Sequence, residues 1–405
     1  MHDRTPKPQP SSARNLYSFG LTSFFNDTAS EMAYWVLPAF LVSLGAGPAQ
    51  LGVIEGIAES VASFAKLFSG YLTDRIERRK PLVVGGYFVA NAVKPLLAIT
   101  TAWWHILLIR FSDRLAKGVR GAPRDVMVAE SVGKERLGSA YGLIQSMDSA
   151  GAIAGPLAAL VLLSRFGIRS VFWAAAVPGA LAVLVAILGI RETKRGSPEQ
   201  SADRKKSGEV AIRPSGKLPI AFYFVLIAVT LFSLGNSSDM FLVMRAQNVG
   251  IAVSLAPLLG LVFNITYTLG SWPAGRFSDH FSRRWIAAAG YLIFAAVYFV
   301  FGRAPSTLAI WISMAIYGTY YALTQPVLKA LVVDTVTQDI RGRALGIYAF
   351  ATSVATLGAS LITGELWKHY GAPFPFYLSA GMAVLSAALL LLSGVITPGK
   401  TASHA

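Results

Sequence analysis

The sequence contains no cysteine, and charged residues make up only 14% of its 405 residues. The missing cysteines exclude disulfide bonds, thiolate metal sites and cysteine nucleophiles. So little charge argues against a soluble domain, in which about 25% of residues are charged. No G-x-x-x-x-G-K-[ST] motif is present, so the chain lacks a phosphate-binding loop for ATP. The five histidines lie at unrelated positions and no nucleophile stands beside a base, so we expect no metal site, no cofactor and no enzymatic activity.

Hydrophobic residues are abundant instead, at 54% of the chain, with a mean hydropathy of +0.53. The length provides for about twelve apolar spans of about 20 residues. We therefore predict an all-α polytopic membrane protein with twelve transmembrane helices. We see no cleaved signal peptide in the polar first fifteen residues.

The formal net charge of +15 is distributed unevenly between alternate loops. One set of loops holds most of the arginines and lysines, whereas the opposite set holds only Arg165, Arg169, Arg303 and Lys368. This asymmetry indicates a multi-pass protein of the cell inner or plasma membrane with both termini in the cytoplasm. It also argues against a nucleic-acid partner.

A basic loop occurs twice, as GYLTDRIERRK from Gly70 and as GRFSDHFSRR from Gly275. The two copies lie 205 positions apart, and an acidic residue after each copy repeats at an offset of 204, as Glu130 and Asp334. We therefore predict two halves joined by a polar linker. The expected parts are a cytoplasmic tail at 1–15, a six-helix bundle at 16–190, a cytoplasmic linker at 191–217, a second bundle at 218–395 and a tail at 396–405.

The pattern G-x-x-x-D-R-x-x-R-R in this loop resembles the signature loop of the major facilitator superfamily. The first copy matches every fixed position, and in the second copy His280 replaces the first arginine. The resemblance extends over essentially the whole chain apart from the termini and the linker. It implies two pseudo-symmetric six-helix bundles, alternating access around a midplane site, and a monomer.

The resemblance also implies gating roles for the residues of the two loops. Asp74 with Arg78, and Glu130 across the inner face, are expected to form a cytoplasmic latch that stabilises the outward-facing state. The expected gating residues are Gly70, Asp74, Arg75, Arg78, Arg79, Glu130, Gly275, Asp279, Arg283 and Arg284.

The fifth span carries small residues and a proline in a regular pattern. Its residues Gly142, Gly151, Gly155 and Pro156 resemble the motif that marks exporters and antiporters of the superfamily, although Ala159 and Leu160 stand where that motif has paired glycines. Small residues allow close helix packing and a proline bends the span. Ordinary small-residue packing remains the alternative interpretation.

Ionisable residues concentrate in the first half, within predicted spans, where they must face protein or a water-filled cavity. The predicted charge network comprises Asp27, Glu31, Glu55, Glu59, Arg110, Asp113, Arg114, Lys117, Arg120, Arg124 and Asp148. Each carboxylate of the first two spans is either a permanent partner of a cation or a proton carrier. Glu31 and Arg114 lie nearest mid-membrane, so we expect them to couple and control proton movement. Arg114, Lys117 and Gly118 also resemble the superfamily motif R-x-x-Q-G, with lysine in place of glutamine.

The second half is richer in amide and aromatic side chains within its spans. We expect it to shape the substrate pocket through Asn236, Asp239, Arg245, Asn264, Tyr267, Tyr317, Tyr321 and Gln325.

Together these features predict proton-coupled export, by antiport, of a small organic molecule, with proton, substrate and lipid bilayer as partners. One alternative is an organic-anion transporter or facilitator that uses the fourth-span arginines and lysines as substrate counter-ions. The other is a sensor that keeps the fold without transport.

Overall fold

The computed structural model describes residues 10–76, 78–132, 137–192, 218–336 and 341–396, and in these ranges it contains helices and no strand. The all-α expectation is confirmed. Eight of the helical segments in these ranges are long and apolar enough to cross a membrane. Helices suit that environment because every backbone N–H and C=O is paired within the segment. The helices α3 and α5 defined below are also long, but more charged residues interrupt their apolar sequence.

Eight α-helices precede the gap at 193–217. They are α1 Pro10–Tyr34, α2 Leu37–Ser43, α3 Pro48–Arg75, α4 Lys80–Val93, α5 Trp103–Glu130, α6 Leu137–Phe166, α7 Ile168–Ala174 and α8 Ala176–Gly189. A 3₁₀ segment, Lys94–Ile99, continues α4 with Pro95 near its start. Proline cannot donate a backbone hydrogen bond, which favours this change of helix type.

Seven further α-helices follow the gap. They are α9 Ile220–Gly235, α10 Met240–Asn248, α11 Ala256–His280, α12 Arg283–Arg303, α13 Thr307–Asp334, α14 Arg341–Tyr370 and α15 Pro373–Ile396. The segment Ile220–Asn248, which is long and apolar enough to be the seventh membrane span, is broken between α9 and α10, within the sequence GNSSD. Glycine, asparagine, serine and aspartate favour turns, which accounts for the interruption.

Contacts divide the chain into two compact units. The first contains the described parts of Met1–Tyr34 and Val61–Ile212, and the second those of Trp35–Ser60 and Arg213–Ala405. The helix α2 and the first half of α3 thus group with the second unit. Of the predicted linker at 191–217, the structure describes only Arg191 and Glu192.

Each unit has its own buried core. In the first unit, Phe19 of α1, Val83 and Tyr87 of α4 and Met127 of α5 belong to one cluster. In the second unit, aromatic rings take this role. Phe232 of α9 stacks on Tyr291 of α12, with 3.9 Å between ring centroids.

Candidate functional site

Two glycines of α6 bring the acidic face of α1 close to α6. A Cβ atom on Gly151 would lie 2.5 Å from the Phe24 carbonyl oxygen and 3.1 Å from the Asp27 Cβ. A Cβ on Gly155 would lie 2.8 Å from the Glu31 Cβ. All three distances are shorter than ordinary contact, so only glycine fits without a shift. The pair of glycines and the pair of carboxylates each have the four-residue spacing of one helix face.

A cavity of about 270 Å³ lies within the first unit, between α1, α3, α5 and α6. Its cationic lining residues are Lys66, Lys117, Arg120 and Arg124. Its carboxylates are Asp27, Asp125 and Asp148. Asp27 and Asp148 are close enough that each charge acts on the other, and Arg124 and Lys117 also act on Asp148. Arg124 pairs with the adjacent Asp125 at 3.1 Å.

Arg120 presents a buried donor to this cavity. The residue is 6% exposed, and its guanidinium carbon lies 4.3 Å from the centroid of the Tyr87 ring. Its Nη1 atom is buried and has no hydrogen-bond partner among the described residues. Such a donor costs about 1–3 kcal/mol when left unsatisfied. An acceptor group placed in the cavity would remove that cost.

A hydrogen-bonded chain connects the cavity to a second charge cluster in the same unit. Lys94 Nζ donates to Asn91 Oδ1 at 3.0 Å, Asn91 Nδ2 donates to Asn26 Oδ1 at 3.1 Å, and Asn26 Nδ2 donates to Asp27 Oδ1 at 3.0 Å. Lys94 also lies 3.7 Å from Asp113. Our sequence reasoning missed the two asparagines. They could have been noticed because each places an amide side chain inside a predicted membrane span. Burying an amide costs free energy unless it is hydrogen-bonded.

Three other predicted members of the charge network, Arg110, Glu31 and Arg114, lie nearby but in different surroundings. Arg110 faces the Tyr34 ring, with 5.6 Å to its centroid, and lies 4.0 Å from Asp113. Glu31 is half-buried against α6, and Arg114 is half-buried and close to Lys94 and Asp113. Neither Glu31 nor Arg114 lines the 270 Å³ cavity. Among the described residues, Asp27 and Asp148 are therefore the more closely associated carboxylates.

Two arginine–carboxylate pairs, one in each unit, lie at related positions of the repeat. Arg79 and Glu130 are 2.6 Å apart in the first unit, and Arg283 pairs with Asp334 in the second. Both pairs span 51 residues, and the second follows the first by 204 positions. The arginine that meets Glu130 is Arg79 at the start of α4, whereas Arg78 is exposed.

Several gating predictions cannot be located in the same detail. Arg284 is half-buried beside Arg283, and Gly70 lies on α3, where an added Cβ would lie 4.0 Å from the Ala122 Cβ. The predicted gating and fifth-span residues whose side-chain surroundings lie outside the described part of the chain are Asp74, Arg75, Gly142, Gly275 and Asp279. Pro156 lies inside α6, directly after Gly155.

In the second unit, Asp239 lies at the break between α9 and α10 and accepts hydrogen bonds from two tyrosines. Tyr317 Oη donates to its Oδ1 at 2.7 Å, and Tyr321 Oη donates to its Oδ2 at 3.3 Å. The neighbouring Ser238 Oγ donates to Glu55 Oε2 at 3.0 Å. Glu55 is 1% exposed, and its charge and that of Glu59 act on Asp239. Three carboxylates thus lie close together beside phenolic donors.

Aromatic rings surround this acidic group. Phe263 lies 5.1 Å from Tyr321 in an edge-to-face arrangement and 6.0 Å from Tyr267 in a stacked one. Asn236 Nδ2 donates to Tyr320 Oη at 3.2 Å. Five predicted pocket residues, Asn236, Asp239, Tyr267, Tyr317 and Tyr321, therefore belong to one cluster.

The remaining predicted pocket residues have other surroundings. Arg245 donates to the carbonyl oxygens of Phe301 and Gly302 at 3.0 and 3.1 Å and so anchors α10 to the end of α12. Gln325 is exposed, and Asn264 is half-buried. A charged side chain within a span can thus bind backbone carbonyl oxygens instead of a ligand.

Comparison with known proteins identifies the family of the chain. The family model described as Major Facilitator Superfamily matches residues 19–244 and 224–404. An uncharacterized MFS-type transporter of Methanocaldococcus jannaschii is 32% identical over 387 residues, which is 94% of each chain. The multidrug resistance protein MdtG of Escherichia coli is 22% identical over 92% of this chain and 93% of its own.

A solved structure gives the same result for the fold. The chain is similar to a bacterial homolog of the human lysosomal transporter Spinster, with a TM-score of 0.75, 15% identity, and coverage of 98% of this chain and 100% of the other. The family model covers more than half of the chain, and the archaeal relative exceeds 30% identity over nearly its full length. The protein is a membrane transporter and belongs to the major facilitator superfamily.

Proposed function

We propose that the protein exports a small organic molecule in exchange for protons, by alternating access. The observation that supports this most directly is the pair of carboxylates Asp27 and Asp148, which share a cavity with four cations. Protonation of one carboxylate removes its repulsion with the other, so the pair is suited to accept and release a proton. The similarity to a multidrug resistance protein supports a small organic substrate.

Protonation of Asp148 would change the electrostatic interactions of the cations that line the cavity. Arginine stays charged under all physiological conditions, so Arg124 cannot release its proton when Asp148 gains one. Arg124 already pairs with Asp125 of its own helix at 3.1 Å. A proton on Asp148 therefore removes an attraction between Asp148 of α6 and Arg124 of α5.

We propose that the acidic and aromatic cluster of the second unit contributes to substrate binding. Tyr317 and Tyr321 offer ring surfaces as well as hydroxyl groups. We also retain the proposal that both termini are cytoplasmic, because the basic loops favour that side, and that Asp74, Arg78 and Glu130 form a cytoplasmic latch.

A second candidate function, transport of an organic anion, is favoured by Arg120. Its buried Nη1 lacks a partner among the described residues, and the cavity is lined by four cations and three carboxylates. A carboxylate or phosphate of a substrate would satisfy this donor and balance the charge.

The sign of proton movement on binding separates the two candidates. A substrate that replaces the proton releases it to solution, whereas an anion bound beside Asp27 and Asp148 favours uptake of a proton. We would first find ligands for the purified protein by thermal stabilisation, using a panel of cationic, neutral and anionic compounds. Proton exchange on binding would then be followed with an indicator dye in weak buffer.

Proton-coupled antiport predicts release of protons by the wild type and none by Asp148→Asn. The matched control is Glu365→Gln, an exposed carboxylate of α14, which should behave as the wild type. Proton uptake that only anionic ligands cause, and that Arg120→Gln abolishes, would establish the second candidate. Binding without any proton exchange would contradict both.

A further inference from the structure

A basic recess lies at the start of α4 on the surface of the first unit. It has a volume of about 420 Å³ and is lined by Arg78, Lys80, Pro81, Val84, Ile187 and Glu192. The side chain of Arg78 is exposed. Lys80 Nζ donates to the Ile187 carbonyl oxygen at 2.8 Å, near the end of α8. This bond uses one of the three donors of the ammonium group and leaves two.

An apolar groove continues from this recess between α4 and α8. It has a volume of about 380 Å³, and its lining includes Phe88, Ala92, Pro95, Ala180, Val183 and Leu184. Ile187 lines both the recess and the groove. The two depressions therefore adjoin at Ile187, with the charged residues in the recess and mostly apolar residues in the groove.

The recess and the groove together are about as long as one leaflet of a bilayer. From Val84, which lines the recess, to Pro95, which lines the groove, the chain rises about 16 Å, at about 1.5 Å per residue. Half of the hydrocarbon core of a bilayer is about 15 Å thick. A single acyl chain whose headgroup lies at the recess would therefore extend along the groove to the middle of the membrane.

The charge of the recess selects the headgroup. Glu192 already accepts the backbone N–H groups of Arg79 and Lys80, at 2.9 and 3.1 Å. The side chains of Arg78 and Lys80 add two positive charges, so the recess keeps a net positive charge. A phosphate group complements it, as polybasic surfaces attract anionic lipids.

We propose that this surface is a binding site for an anionic phospholipid. Its phosphate bridges Arg78 and Lys80, and one acyl chain occupies the groove between α4 and α8. The segment at 193–217, which follows Glu192, is a poor alternative occupant, since it has seven basic and three acidic residues and would be repelled by the recess.

Native mass spectrometry of the purified full-length protein tests the proposal, with dioleoyl phosphatidylglycerol and dioleoyl phosphatidylcholine as probes. We expect one phosphatidylglycerol to be retained at a concentration at which phosphatidylcholine is not. The double variant Arg78→Gln/Lys80→Gln should bind it at least tenfold more weakly. Replacing Lys80 also removes its hydrogen bond to the Ile187 carbonyl oxygen, which contributes to folding. Arg78 is exposed, so Arg78→Gln alone tests lipid binding without this loss.

The apolar half of the site needs its own variant. Ala180→Phe fills the groove and should also weaken retention at least tenfold. The matched controls are Val177→Phe, on the same helix at an exposed position outside the groove lining, and Arg303→Gln, which removes an exposed charge elsewhere. Both should retain the lipid as the wild type does.

Three outcomes would overturn the proposal. The first is equal retention of the two lipids by the wild type, and the second is unchanged retention by Arg78→Gln or by Ala180→Phe. The third is displacement of the lipid by glycerol 3-phosphate at an equal concentration, which would show that the headgroup alone is recognised. None of these readouts depends on transport or on proton coupling.

Discussion

Replacing Gly155 by alanine should separate α1 from α6 where they carry the carboxylates. The added Cβ would lie 2.7 Å from the Thr28 carbonyl oxygen and 2.8 Å from the Glu31 Cβ, whereas ordinary contact begins at 3.4 Å. The neighbouring atoms belong to backbone and to a Cβ, so they cannot turn away as a flexible side chain would. The two helices must therefore move apart by about 0.7 Å at this point.

The energetic cost follows from the same geometry. Overpacking of this kind costs about 1–3 kcal/mol, and alanine regains about 0.5–1 kcal/mol through its better helix propensity. We expect Gly155→Ala to lower the free energy of unfolding by up to about 2 kcal/mol. We also expect it to reduce transport, because misplacement by about 1 Å can cost about a hundredfold in rate.

The control is Gly85→Ala in α4, where an added Cβ would meet no atom within 4 Å. It gains the same helix propensity without overpacking, so its stability should equal or exceed that of the wild type. Thermal unfolding in detergent and transport in proteoliposomes would be measured for both variants. If Gly155→Ala matched Gly85→Ala in both assays, the close packing of α1 on α6 would not be needed.

Three further predictions concern individual polar contacts. Glu130→Gln removes the charge of the carboxylate that pairs with the buried Arg79 side chain and should cost about 1.5–3 kcal/mol in thermal unfolding, and a loss below about 0.5 kcal/mol would refute this. Tyr317→Phe removes the 2.7 Å hydrogen bond to a buried carboxylate and should cost about 1–3 kcal/mol, measured against Tyr321→Phe, whose bonds are longer and whose loss should cost less. Lys94→Met should cost about 3–5 kcal/mol because it leaves Asp113 with one partner fewer, while Lys94→Met/Asp113→Leu should recover much of this loss. Additive effects of Lys94→Met and Asp113→Leu in that cycle would contradict direct pairing.

The gating pairs show how far sequence reasoning reaches. The repeat at an offset of 204 marked Glu130 and Asp334 as equivalent positions, and the structure pairs each with an arginine. The sequence alone could not show that Arg79, and not Arg78, pairs with Glu130, because that depends on where α4 begins. Since the helix begins at Lys80, Arg79 is its N-cap residue and its side chain is buried against Glu130.

The charge network shows a similar limit. The spacing of Lys117, Arg120 and Arg124 places them near one helix face, and all three line the cavity. The partners on other helices could not be deduced, because Asn26 and Asn91 are 65 residues apart. We favoured Glu31 because its expected position is near the middle of the membrane. In the structure, Asp27 and Asp148 share the cavity because α6 packs on α1.

The break between α9 and α10 has a visible signal in the sequence. The sequence GNSSD contains four residue types that favour turns, yet its apolar flanks suggested one continuous helix. In the structure α9 ends at Gly235 and α10 begins at Met240. Discontinuous helices in transporters commonly lie at binding sites, which agrees with the position of Asp239 beside two tyrosines.

Proton flux into proteoliposomes tests the central claim most directly. Purified protein would be reconstituted with an internal pH-sensitive dye, and a stabilising ligand would be supplied on one side. Proton-coupled exchange predicts a ligand-dependent pH change that Asp148→Asn abolishes and Glu365→Gln preserves. The claim would be contradicted if the wild type and Asp148→Asn moved the ligand across the membrane at equal rates and neither produced a proton flux. The protein would then be a facilitator.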